Sequence, residues 1–162
     1  MFDQLGLPNE IMQILLRLLL AGVMGAVLGY ERQQRGQPKA IGIAGMMLVC
    51  IGSAAYMLLA QHIAVDDPSA PGRAVQSVLQ GIGFLAGAVI FKGGTDVQGI
   101  KTAMTIWITA AIGLAAATGL WWLSLLVGGV TALMLYLTDR LSPERRQAEP
   151  GATTGGGQRN AQ

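Results

Sequence analysis

Five long hydrophobic stretches restrict this chain of 162 residues to a membrane fold more than any other feature does. A helix needs roughly 17–25 mostly apolar residues to cross the ~30 Å hydrocarbon core of a bilayer. The stretches cover residues 11–30, 40–60, 75–91, 102–118 and 120–137. We therefore predict an all-α integral membrane bundle of about five transmembrane helices, formed by residues 1–141 as a single domain.

The composition excludes several other classes of protein. Apolar residues make up 52% of the chain and charged residues 12%, about half the charged fraction of a soluble domain. The net charge of +2 is too small and too scattered to predict nucleic-acid binding. The single Cys50 excludes an intrachain disulfide, and no Ser/His/Asp or Cys/His set on one side of the membrane predicts an enzyme. Residues 142–162, which contain two prolines and three consecutive glycines, are predicted to form a disordered tail.

The distribution of basic residues predicts how the bundle sits in the membrane. Lys and Arg near the ends of spans stay on the cytoplasmic side. Nine of the eleven basic residues lie after the first, third and fifth spans: Arg32, Arg35, Lys39, Lys92, Lys101, Arg140, Arg145, Arg146 and Arg159. An N-terminus outside and a C-terminus inside place all nine in the cytoplasm.

The first span combines a charge with a stripe of small residues. Gly22, Gly25 and Gly29 favour close packing against another helix. Arg17 is the only charge well inside any span, and it has two interpretations. It either reaches the headgroups or a backbone carbonyl, or it forms an intramembrane functional site. Glu31 and Arg32, at the end of the span, form either a simple interfacial ion pair or part of such a site.

Polar residues follow one face of the third and fourth spans. In the third span, Gln80 shares its face with Arg73, Ser77 and Gly87. Gly83 and Gly87 also form a pair spaced as GxxxG. Three threonines form the corresponding stripe of the fourth span: Thr102, Thr105 and Thr109. Each stripe is either helix–helix packing or the lining of a polar cavity. The convergence of both stripes on the loop 92–101 favours a functional site there.

The loop 92–101 carries the remaining candidate groups, Lys92, Asp96 and Lys101. Its three glycines resemble a phosphate-binding loop, but no strand precedes it and Ile100 interrupts the motif. We predict a tight turn that positions these three side chains. A Mg²⁺ site that uses the carboxylates of Glu31 and Asp96, shared between subunits, is one further hypothesis, although nothing in their spacing requires it. No other cofactor is expected.

Several motifs together resemble the MgtC/SapB family of bacterial inner-membrane proteins. RLLLAG begins at Arg17, LGYER ends at Arg32, and GIGFLAGAVI begins at Gly81. TAMTIWITAAIGL begins at Thr102. The resemblance covers about residues 14–138. The chain departs from it at Ala44-Gly45-Met46, where many members have Arg-Thr-His, and at Lys101, where Thr is usual. Many members also continue into a soluble ACT-like domain, whereas a short form without that domain is expected here.

The resemblance implies a multi-pass protein of the inner membrane, linked to adaptation to low magnesium and, in pathogens, to virulence. It also implies modulation of membrane energetics, with ATP synthase as an example of a larger partner complex. Two hypotheses follow. The first is a non-enzymatic regulator or accessory protein that acts through helix contacts. The second is a homodimeric carrier or channel for Mg²⁺ or a small solute, assembled through the GxxxG face.

Overall fold

A computed structural model describes residues 9–33, 41–63, 67–90 and 99–141, and these form five α-helices. The helices are α1 (Asn9–Gln33), α2 (Ile43–Ile63), α3 (Ala70–Ile90), α4 (Ile100–Ala117) and α5 (Trp121–Leu141). Each helix is long and apolar enough to cross a membrane. The predicted all-α bundle of five spans is confirmed, while the orientation of its ends stays a prediction.

Helix α4 forms the centre of the bundle and contacts each of the other four helices. Of the 18 residues of α4, 67% are buried, whereas only 6% are buried in the most apolar 18-residue stretch of α3. The reason lies in the small side chains of α4, since Ala, Gly and Thr leave little bulk to hold neighbouring backbones apart. Its buried apolar residues form the core together with residues of α1 and α2, among them Ala21, Leu28, Met46, Cys50 and Ala54.

Glycines bring α1, α2 and α4 into close contact. A Cβ atom added at Gly25 would lie 2.8 Å from the carbonyl oxygen of Met46, and one added at Gly29 would lie 2.7 Å from the Cα of Ile43. Where α4 crosses α2, a Cβ at Gly113 would lie only 2.2 Å from the carbonyl oxygen of Cys50. These backbones can approach so closely only because the side chains are absent.

Helix α3 begins five residues before the predicted span, at Ala70 rather than at residue 75. The backbone N–H of Ala70 donates to the carbonyl of Asp67, and that of Arg73 donates to the carbonyl of Ser69. Hydropathy missed this first turn because Pro71, Gly72 and Arg73 lower its mean hydropathy, although Pro71 is well suited to the start of a helix. The other helices differ from the predicted spans by up to four residues at each end.

A short turn joins α4 to α5. The backbone N–H groups of Thr118 and Gly119 donate to the carbonyls of Leu114 and Ala116. Gly119 has a φ of +83°, a left-handed conformation that favours glycine because other residues suffer a steric clash there. Trp121 and Trp122 follow directly and are both exposed. Helices α4 and α5 therefore form a tight helical hairpin, with exposed tryptophans at one end of the bundle.

Candidate functional site

Arg32 is an almost fully buried arginine between α1 and the first turn of α4. Its side chain is 8% exposed. Nη1 donates to the carbonyl oxygen of Lys101 at 2.8 Å and to Oγ1 of Thr105 at 2.6 Å, and Nη2 donates to Oγ1 of Thr102 at 2.7 Å. The planar guanidinium thus binds three oxygens of one helical turn, which a lysine ammonium would not reproduce.

The threonine stripe of α4 faces the interior of the bundle. Thr105 accepts from Arg32 and donates its own hydroxyl proton to the carbonyl of Lys101 at 2.7 Å. Thr109 donates to the carbonyl of Thr105 at 2.7 Å, and its Oγ1 lies 3.7 Å from the sulfur of Met46. No buried side-chain nitrogen or oxygen in the described part of the chain lacks a hydrogen-bond partner. These hydroxyls therefore act within a packed contact between helices.

Arg17 occupies the corresponding place at the opposite end of α4. Its Nη1 donates to the carbonyl oxygen of Ala117, the last residue of that helix, at 2.9 Å. A Cβ added at Gly119 would lie 3.3 Å from Nη2. A cation at a helix C-terminus also meets the negative end of the helix dipole. Of the two interpretations of Arg17, the structure shows the contact with a backbone carbonyl.

The two arginines meet opposite ends of the helix dipole. Arg17 lies at the favourable end, whereas Arg32 lies beside the N-terminal turn, where the dipole is repulsive to a cation. Arg32 is held there by oxygen acceptors, the Lys101 carbonyl and the two hydroxyls. Replacing these hydroxyls by apolar groups would leave a buried cation with fewer acceptors, which is costly.

The polar stripe of α3 points away from the rest of the bundle. Gln80 is exposed, and the one buried residue in the middle of this helix, Ile82, lies on the opposite face. Ser77 is also exposed, but it lies on the side of α3 that faces α2. A Cβ added at Gly83 or Gly87 would meet nothing within 4 Å. The expectation that these two glycines pack against another helix is therefore wrong for contacts among the described residues of this chain. Contact with a second chain stays a prediction.

The stripes of α3 and α4 therefore do not face one another. The α4 threonines contact α1, while Gln80 lies on the outside of the bundle. Lys92 and Asp96, which were expected to join the two stripes, lie outside the described residues, as does the tail 142–162. Glu31 is half-buried beside Arg32, and the side chain of Lys101 is exposed. Within the described ranges, no three His, Cys, Asp or Glu residues are close enough to hold a metal ion.

A lateral groove of about 790 Å³ separates α2 from α3. Its walls are mainly apolar, with Leu48 and Tyr56 from α2 and Gly81 and Leu85 from α3. Arg73 lines one end, and there its Nη2 forms an ion pair with Asp67. Hydrogen bonds from Ser69, followed by that from Arg73, hold the pKa of Asp67 at about 2. The first turn of α3 therefore carries paired charges.

Sequence patterns did not reveal three of the groups that complete the core. Ser124 on α5 donates its hydroxyl proton to the carbonyl of Ile112 at 3.3 Å. Met46 contacts Thr109, and the carbonyl of Ala117 accepts a hydrogen bond from Arg17. A backbone carbonyl carries no sequence signal. The isolated serine in an apolar span was the only available hint for Ser124.

These features define a multi-pass membrane protein whose central helix is fastened at both ends by arginines of its first helix. The chain belongs to the MgtC family, whose model matches residues 18–143. It is 39% identical to Protein SrpB of Synechococcus elongatus over 137 residues, which cover 77% of this chain and 74% of SrpB. It is 37% identical to Protein MgtC of Salmonella typhimurium over 105 residues, which cover 65% of this chain and 43% of MgtC.

A third relative is a protein of Synechocystis sp. described only as uncharacterized. It is 42% identical over 106 residues, which cover 65% of this chain and 44% of the relative. The chain thus spans less than half the length of this protein and of Salmonella MgtC, and about three quarters of SrpB. No solved structure matches the chain. The expected membership of the MgtC/SapB family is confirmed.

Proposed function

We propose that this MgtC-family protein is a non-enzymatic component of the bacterial inner membrane that supports adaptation to low magnesium or stress. It acts as a regulator or accessory protein of membrane energetics, through helix contacts with itself or with a larger complex such as ATP synthase. The main support for this proposal is that the polar side chains inside the bundle bind other parts of the same bundle. Arg17, Arg32 and the α4 threonines bind within the helix bundle, and this favours a structural scaffold over a solute path.

The exposed faces of the bundle supply surfaces for such contacts. Only 6% of the residues in the most apolar 18-residue stretch of α3 are buried. The outward face of this helix carries glutamine amides and glycines. The side-chain amides of Gln76 and Gln80 would face hydrocarbon, which is unfavourable unless another protein segment binds them. A protein that works by association would present a surface of this kind.

The test uses a strain that lacks the gene, complemented with wild-type protein or with Arg32→Met. We expect wild-type protein to restore growth at low magnesium and to co-purify with a defined membrane complex. Arg32→Met, expressed to the same level, restores growth less well because α4 loses the anchor of its first turn. A conservative variant at an exposed position, Val23→Leu, serves as the matched control. Equal growth of the deletion strain and the wild type at low magnesium would overturn the proposal.

A homodimeric carrier for Mg²⁺ or a small solute is the second candidate. The exposed Gln76 and Gln80 of α3 favour it, because two copies facing each other would enclose a polar strip. Purified protein in liposomes then gives flux above that of empty liposomes, and Gln80→Ala alters that flux without changing the amount of protein inserted. Absence of flux for Mg²⁺ and for small test solutes would remove this candidate.

A further inference from the structure

The outward face of α3 carries a seam of four residues with the spacing of helix–helix packing. Gln76, Gln80, Gly83 and Gly87 follow one another at intervals of four, three and four residues. At 100° per residue they share one narrow stripe. Ile82, the buried residue in the middle of α3, lies on the opposite side. We call these four residues the α3 seam.

The α3 seam has no partner within the described part of the chain. Gln76 and Gln80 are exposed, and no side-chain hydrogen bond from either is formed there. Gly83 and Gly87 have open space where a Cβ atom would lie. Phe84, beside the seam, is 83% exposed. The most polar face of this span is thus turned outward, the reverse of what a lipid-facing helix requires.

The position of Gln80 makes this arrangement costly without a partner. It lies at the centre of α3 (Ala70–Ile90), where a spanning helix is farthest from water at both ends. A primary amide has two N–H donors and an oxygen acceptor, and hydrocarbon satisfies none of them. Unlike Lys or Arg, the short glutamine side chain cannot reach the interface from mid-span. Another polar group within the membrane must therefore meet it.

We infer that the α3 seam binds the α3 seam of a second copy of this chain, with the two helices parallel around a twofold axis. The seam is chemically self-complementary under that symmetry. Each glutamine amide donates to and accepts from its own counterpart, and each glycine lies opposite a glycine, so that the backbones approach closely. The four seam residues are uncharged, and the nearest charge on this face is Arg73, seven residues before Gln80. Arg73, in the first turn of α3, already pairs with Asp67, so no unpaired like charges would be opposed.

A second copy fits this surface better than the lateral groove fits any specific ligand. The groove between α2 and α3 is mainly apolar, and the ordinary contents of a bilayer would fill it. The seam, in contrast, needs hydrogen-bonding groups at defined positions. The inference rests on membrane residence and on α3 alone, so it does not depend on the proposed function.

Cysteine cross-linking in native membranes tests the seam directly. In a Cys50→Ala background of the full chain, we compare Gln76→Cys and Gln80→Cys with Val23→Cys, an exposed position near the middle of α1. A disulfide needs Cα atoms within ~7 Å, so oxidation should yield at least about fivefold more linked dimer from the seam variants than from Val23→Cys. Equal yields at the three positions, or a seam cysteine that links only to a different protein, would overturn the inference.

Leucine substitutions on α3 provide a second measurement with an internal control. Gly83 lies on the seam, whereas Gly81 lines the groove, and neither position would clash within the chain because both are open. We expect Gly83→Leu to weaken dimerisation in detergent roughly tenfold by analytical ultracentrifugation, since it blocks close approach of the backbones. Gly81→Leu retains the wild-type dissociation constant. A wild-type protein that is monomeric at all concentrations, or equal effects of the two leucines, contradicts the proposed dimer.

Discussion

Arg17 and Arg32 of α1 bind opposite ends of the same neighbouring helix, α4. Arg17 donates to the carbonyl of the last α4 residue, and Arg32 donates to oxygens of the first turn. At 1.5 Å per residue the two arginines lie about 22 Å apart along α1, close to the ~27 Å length of α4. The two helices therefore run antiparallel, with their relative position along the bundle fixed at both ends.

Arg32→Met should destabilise the protein by about 2–4 kcal/mol, because the substitution removes three hydrogen bonds from a charged donor in a buried site. Arg32→Lys keeps the charge but loses the planar fork of the guanidinium. Its free energy of unfolding should therefore lie between those of the wild type and of Arg32→Met. Reversible unfolding in mixed micelles measures the free energy of unfolding for each variant. A Met variant as stable as the wild type would show that these hydrogen bonds contribute no net stability.

Arg17→Met should cost less, about 1–2 kcal/mol, because it removes one hydrogen bond at a half-buried helix terminus. The two sites are far apart and share no hydrogen-bond partner, so their effects should add within ~0.5 kcal/mol. The double variant Arg17→Met/Arg32→Met, unfolded under the same conditions, provides the test. A large departure from additivity would mean that α4 responds as one coupled element.

Gly113→Ala should destabilise the bundle by about 1–3 kcal/mol or more, because the new methyl group would lie 2.2 Å from the carbonyl oxygen of Cys50. The matched control is Gly129→Ala on α5, where a Cβ meets nothing within 4 Å. That substitution should stabilise the helix by up to ~1 kcal/mol or leave its stability unchanged, since alanine is the better helix former. The difference between these two variants in thermal unfolding separates close packing from helix propensity. Similar losses at both positions would contradict the close crossing of α2 and α4.

The first turn of α3 should lose protection against acid in a defined range. The pKa of Asp67 is lowered to about 2 by its hydrogen bonds with Ser69 and Arg73. The ionised carboxylate therefore stabilises the folded turn at pH values above its unfolded pKa of ~3.9. That contribution disappears as the pH falls through about 2. Amide hydrogen exchange at Ala70 and Arg73 should accelerate, beyond its intrinsic pH dependence, between pH ~4 and 2.

Asp67→Asn provides the control for this pH dependence. The amide does not titrate in this range, so the extra acceleration of exchange should be absent from the variant. Because the Asp67 side chain is partly exposed to solvent, added salt should also reduce the effect in the wild type. An identical pH profile in the two proteins would contradict the role of the Asp67 carboxylate.

Hydropathy and small-residue patterns predict much of the fold, because each span needs an apolar stretch of sufficient length and each close crossing of helices needs glycines. The α1 stripe of Gly25 and Gly29 lies against α2, where such a pattern is expected. The sequence of α3 does not show which of its faces packs against the other helices of the chain. The same GxxxG spacing is consistent with contact inside one chain or between two chains, and only the arrangement of all five helices shows which face stays open.

The candidate site was harder to predict than the fold. Arg32 and Thr105 are separated by 73 positions in the chain, and nothing local indicates that one binds the other. The threonine stripe suggested either packing or a cavity, since both require hydroxyls on one helical face. What distinguishes them is the acceptor geometry around Arg32, which depends on how α1 and α4 align in space.

We conclude that the α4 threonines lie in a dry contact between helices and do not line a water-filled path. The most direct measurement is the reaction of Thr109→Cys, in a Cys50→Ala background, with a membrane-impermeant thiol reagent in opened membrane vesicles. Thr109 is fully buried, whereas Gln33 at the end of α1 is exposed and Gln33→Cys serves as the positive control. We expect rapid labelling at position 33 and none at position 109. Labelling of Thr109→Cys at a rate comparable to that of Gln33→Cys would contradict it and support a solute path through the bundle.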